Sequence, residues 1–132
     1  MSGILDLDKL LKSMSPQLQS DEYVFCTVPQ GDIAQYIALE PLGTFYESEG
    51  LTLIVLLEKA QQAGLAFEGK FKQITLQVHS SLEAVGLTAA VSAKLASAGI
   101  SANVVAAYYH DHVFVPSEKA NEALAALQTL SS

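Results

Sequence analysis

The chain has 132 residues, half of them hydrophobic, a net charge of −7 and no arginine. That length allows one domain or two very small ones, and halves of ~65 residues are near the lower limit for burying a core alone. The absence of a basic stripe argues against nucleic acid as a partner, and against an anionic membrane surface for the same reason.

The opening "MSGILDLDKLL" carries acids where a secretory signal needs a basic start and an uncharged apolar core. No uncharged apolar run reaches the ~18 residues of a membrane span. Cys26, alone in "YVFCTV", has no internal disulfide partner and suits a reducing compartment as a small buried hydrophobe. These features predict a soluble, cytoplasmic protein.

Leu7, Leu10, Leu11 and Met14 follow the i, i+3, i+4, i+7 spacing of one helix face, and Pro16 ends that helix. Residues 22–28, "EYVFCTV", read as a strand, and 29–42 as a loop with a helical turn. Residues 43–47 and 51–57 flank Ser48-Glu49-Gly50, a hairpin turn, and "EKAQQAG" at 58–64 makes a short helix stopped by Gly64. Residues 71–79 alternate: Ile74, Leu76 and Val78 face one way, Gln73, Thr75, Gln77 and His79 the other. This predicts a strand with one face covered and one open. An alanine-rich helix follows over 85–98, with Gly99 as its stop. Strands are expected at 101–107 and 111–115, and a last helix is capped by Ser117.

"VLLEKAQQAG" (55–64) aligns with "VPSEKANEAL" (115–124) at an offset of 60. A duplication explains this and predicts two similar α/β units, 1–68 and 69–132. The helix at 7–14 is paired with that at 85–98, and "YVFCTV" with "NVVAA". The first half lacks a leading strand and the second a closing one, so strands are exchanged between the units or shared at their junction.

The stretch "ITLQVHSSLEAVGLTAAVSAKLASAGISANVVAAYYHDHVFVPSEKANEAL" (74–124), with "GTFYESEGLTLIV" and the EKA helix earlier, resembles tandem ACT domains. The likeness is to small stand-alone bacterial proteins related to the aspartate-kinase-type ACT repeats. It is weaker to the animal amino-acid sensors that use such repeats. The resemblance implies an α+β fold of two ferredoxin-like βαββαβ units in tandem, with antiparallel sheets, helices on one face and strand order 4-1-3-2. It implies amino-acid binding with a regulatory output. No catalytic domain accompanies the repeat in this sequence, so the regulated protein is expected to be a separate partner. His110-Asp111-His112 departs from the general ACT pattern, so no ligand transfers from better-known members.

In that geometry the end of strand 71–79 lies beside the start of 111–115, and the three histidines cluster at one rim with "HSSLEAVG" (79–86) over them. The start of the 85–98 helix offers unpaired N–H groups to a carboxylate. Gly86 permits close backbone approach. The ligand-binding candidates are Ser80, Ser81, Glu83, Val85, Gly86, Leu87, Thr88, Asn103, Tyr108, His110 and Asp111. Hydroxyls come from Ser80, Ser81 and Thr88, a counter-charge from Asp111 or Glu83, and an apolar wall from the tyrosines. The expected function is binding of an amino acid or related metabolite by a homodimer, without catalysis, cofactor or metal. One alternative is a ligand-free assembly module. Another is a metal-dependent enzyme built on His79, His110 and His112, whose spacing puts His110 and His112 on one strand face.

Overall fold

The structure is a computed structural model and describes residues 6–79 and 85–131. It is an α+β fold whose contacts group into two units. One comprises Asp21–Phe71; the other comprises Met1–Ser20 with Lys72–Ser132. By contacts, residues up to Ser20 group with the later half. The physical reason is burial: Leu10 and Met14 are fully enclosed in a core with Ile74, Leu76, Val91, Leu95 and Leu127.

In this larger unit, helix α1 (Leu7–Ser13) starts at Asp6, whose carboxylate accepts from the Asp8 amide at 2.9 Å and the Lys9 amide at 3.4 Å. That satisfies donors the first helical turn leaves open. Strand β1 (Pro16–Val28) begins at the proline rather than at residue 22. Its first residues run antiparallel to β4 (Phe71–Leu76): Gln19 Nε2 donates to Thr75 Oγ1 at 3.4 Å, and Gln77 Nε2 to Gln17 Oε1 at 3.3 Å. Helix α4 (Leu87–Ser97), strands β5 (Asn103–Ala106) and β6 (Asp111–Pro116), and helix α5 (Ala120–Leu130) follow. The strand order within this unit is β1-β4-β6-β5, so the segment from Pro16 to Ser20 fills the position of a closing strand. Ile74, Leu76, Val113 and Val115 face the helices and form the core with Leu87, Val91, Leu95, Ala123 and Leu127.

The smaller unit contains the rest of β1, helical turns over 30–39 that include α2 (Ile33–Tyr36), strands β2 (Gly43–Glu47) and β3 (Gly50–Leu56), and helix α3 (Leu57–Gln62). Its strand order is β2-β3-β1. Val24, Cys26, Val28, Leu51, Leu53, Val55 and Ala60 form its core. Cys26 is buried there, and burial pushes its thiol pKa up, away from the reactive thiolate. Helices α3 and α4 end as expected: Gly64 and Gly99 have φ of 70° and 73°, and the next amides return to Ala60 O and Leu95 O, both at 2.9 Å.

The offset of 60 extends further than the EKA segments. β2 pairs with β3 through Gly43↔Ile54 to Glu47↔Gly50, and β5 with β6 through Asn103↔Phe114 to Ala106↔Asp111, the same register 60 residues on. Burial class is identical at every position of 51–60 and 111–120. This corrects the pairing of "YVFCTV" with "NVVAA": β2 is the counterpart of β5, while residues 23–28 of β1 lie on the other side of β3. Two further expectations change. Gln73 and Thr75, expected on an open face, are 7 % and 6 % exposed. Ser117 opens a 3-10 turn rather than capping a helix, and its buried Oγ has no hydrogen-bond partner among the described residues.

Candidate functional site

β4 ends where the β5–β6 hairpin turns. The hairpin closes with the Ala107 amide donating to His110 O at 3.1 Å, which leaves Tyr108 and Tyr109 as its two-residue tip. His110 Nδ1 lies 3.5 Å from the carbonyl oxygen of Val78, so the tip meets the strand's end. The ring of His79 is 6.2 Å from that of Tyr108 and 5.4 Å from that of Tyr109. The two phenols meet edge to face at 4.9 Å and 72°. These separations fall in the range of attractive ring pairs. Both tyrosines stay open to solvent, at 60 % and 63 % exposure.

Asp111 follows the tip and is 8 % exposed. Its counterpart at the same register in the smaller unit is Leu51, fully buried. A carboxylate thus stands where the repeated fold places a leucine.

His112 points to the sheet face opposite the helices. Its Nδ1 is 2.9 Å from Gln73 Nε2 and 3.1 Å from Thr75 Oγ1. An amide nitrogen only donates, so Nδ1 is the acceptor and the ring proton sits on Nε2. Burial first, then the neighbouring His110, hold the His112 pKa below the ordinary 6.5, against the opposing pull of Asp111. His112 is therefore directed to this buried polar group. Among the described residues, no set of three or more His, Cys, Asp or Glu side chains is placed to hold a metal ion.

The candidates chosen from sequence separate as follows. Tyr108, His110 and Asp111 belong to the tip and its flank. Gly86 opens α4 with φ 104°, and a Cβ there would come within 3.1 Å of Leu7 Cδ2, so the side chain of α1 occupies that approach to the backbone. Leu87 is buried in the core, whereas Val85 and Thr88 are exposed. Asn103 pairs with Phe114, three residue pairs from Ala106↔Asp111, or about 10 Å along the strand. It is not brought to the rim. Ser80, Ser81 and Glu83 lie outside the described residues. His79 and Tyr109 also meet at the tip: the sequence names Tyr109 only as part of the apolar wall, and His79 only within the histidine cluster at the rim. The signal for them was their position, one ending the alternating strand and one completing the turn.

The sequence reading also missed an open cleft of about 250 Å³ in the smaller unit, lined by Asp21, Glu22, Leu56, Leu57 and Glu58. Among the described residues no helix is long and apolar enough to cross a membrane.

Models of the ACT domain match residues 2–72 and 69–129. A solved protein of unknown function from Vibrio cholerae, described as a possible transport protein, is 59% identical over 96% of both chains, with a TM-score of 0.87. An Agrobacterium tumefaciens protein is 16% identical over 88% of this chain and 87% of its own, with a TM-score of 0.67. The regulatory subunit of aspartate kinase from Thermus thermophilus, in ligand-free form, is 15% identical over 92% of this chain and all of its own, with a TM-score of 0.60. No curated protein matches the chain. With both matched segments in tandem and the ferredoxin-like strand order present, the chain belongs to the ACT-domain family.

Proposed function

We propose that the protein is a non-catalytic sensor that binds an amino acid or related small metabolite at the rim formed by the end of β4 and the β5–β6 hairpin. The observation that carries this reading is the meeting of segments some thirty residues apart. His79 rests against Tyr108 and Tyr109, His110 reaches Val78 O, and the buried Asp111 comes next in the chain. Imidazoles and phenols offer donors, acceptors and an apolar wall, and a carboxylate suits an ammonium group. The output passes to a partner protein by differential affinity, the ligand favouring one arrangement of the protein over another.

The same reading takes the protein as a homodimer. β2 and β5 each close one side of their unit's strand order, and β2 carries the exposed Phe45 and Tyr46. Unpaired strand edges with apolar side chains invite pairing. The assembly reading draws on this edge alone and needs no ligand.

A thermal-shift series over the twenty amino acids separates the two. At ten times its Kd a ligand specific to the folded state should raise the Tm by about 5 °C. One or a few amino acids should do so. A flat response at millimolar concentration, with a stable dimer in sedimentation, would favour the assembly module instead.

A further inference from the structure

The two hairpins of this chain share one backbone plan and differ in what they carry at the tip. In the smaller unit Ser48 and Glu49 make the turn, with Glu47 paired to Gly50. In the larger unit Tyr108 and Tyr109 make it at the same register, with Ala107 bonded to His110. Small polar residues are favoured in such turns because they hydrogen-bond locally and tolerate tight backbone angles. Serine fits that need and tyrosines do not. The turn therefore does not account for the tyrosines, and neither does the core, because both rings are mostly solvent-exposed. A third ring, His79, three residues past the end of β4, meets them. The three rings contact one another at inclinations of 36°, 54° and 72°, so they form a notch that can meet a flat π-system face-on with one ring and edge-on with another, and Tyr pairs supply such area at low entropic cost.

Resting on the proposed ligand site, we infer that the ligand is a compound with a planar unsaturated ring, held among His79, Tyr108 and Tyr109 by face-on and edge-on contacts. Among the described residues the smaller unit has no counterpart at the equivalent turn, because Ser48-Glu49 offers no ring. The chemistry has two sources, an aromatic amino acid or a nucleobase.

The test is titration calorimetry with L-phenylalanine, L-histidine, adenosine, L-leucine and L-lysine. It is run on the wild type and on the double variant Tyr108→Ser, Tyr109→Glu. That variant installs the turn the smaller unit already uses, so its fold should be kept, as circular dichroism will report. Tyr109→Leu, which keeps bulk but removes a ring, gives the same readout should the double variant fail to fold. A ring compound is expected to bind at least tenfold more tightly than L-leucine, and both variants should erase that margin. Adenosine alone binding in this way would keep the notch and overturn the amino-acid reading. L-leucine or L-lysine binding equally to wild type and variants would keep the amino-acid reading and overturn the notch. No binding by any of the five would overturn both.

Discussion

Gln73 Nε2 sits 2.9 Å from His112 Nδ1, a hydrogen bond between two strands on a face the sequence marks as polar and the fold encloses. Thr75 Oγ1 reaches the same nitrogen at 3.1 Å and accepts from Gln19 Nε2 at 3.4 Å. Side chains from β1, β4 and β6 are thereby tied together. Buried polar groups that are satisfied this way specify strand register as well as stability.

This arrangement sets a pH dependence. A proton on Nδ1 would oppose the Gln73 amide with a second donor. The folded His112 pKa is lowered, mainly by burial, so the unfolded chain binds this proton more readily than the fold does. The contribution to stability is therefore present above the ordinary 6.5 and is lost as pH falls through the folded value. Wild-type Tm should decline on acidification below about 6.5, and His112→Gln should flatten that part of the profile relative to wild type. An unchanged slope in the variant would assign the acid sensitivity to other groups.

Gly50 supplies a second expectation. A Cβ at this position would stand 2.7 Å from Thr27 Oγ1 and 2.9 Å from the Val28 carbonyl oxygen. The hydroxyl can rotate away, but the carbonyl belongs to the β1 backbone paired with β3. Gly50→Ala should cost about 1–3 kcal/mol in urea unfolding, the range for overpacked interiors. Its counterpart in the larger unit is His110, which shows that the turn itself does not demand glycine. The cost arises from the neighbouring strand.

How much of this was legible in the sequence depends on the physical signal at each place. The β2–β3 and β5–β6 hairpins are readable because apolar runs flank short turns, whereas their correspondence emerges only from the strand register. The meeting of Val78 with His110 followed from strand order once the resemblance was in hand. The first residues of β1 were not readable, since "PQLQSD" has neither apolar alternation nor strand-forming side chains. The burial of Gln73 and Thr75 was hidden for the opposite reason. Alternation identifies two faces, but only the partners Gln19 and His112, distant in the chain, make the polar face buriable. "YVFCTV" and "NVVAA" match by element order, each the strand that follows the paired helix, and short apolar runs carry no record of which neighbour they pair with.

The placement of α1 yields the last expectation. Leu10 and Met14 are wholly enclosed among Ile74, Leu76, Leu95 and Leu127, and the Gln77 amide donates to Met14 O at 2.9 Å. The first helix is thus part of the core of the later half, although sequence order places it with the earlier one. Leu10→Ala removes a buried side chain and leaves a cavity, at a cost of about 2–5 kcal/mol. Because stability is organised in cooperative units, that loss should not be spread evenly. Amide hydrogen exchange should quicken at Ile74, Leu76 and Leu95, while Leu53 and Val55, in the other core, keep most of their protection. Equal acceleration in both sets would mean that the two cores open together. Acceleration confined to Leu53 and Val55 would contradict the placement of α1.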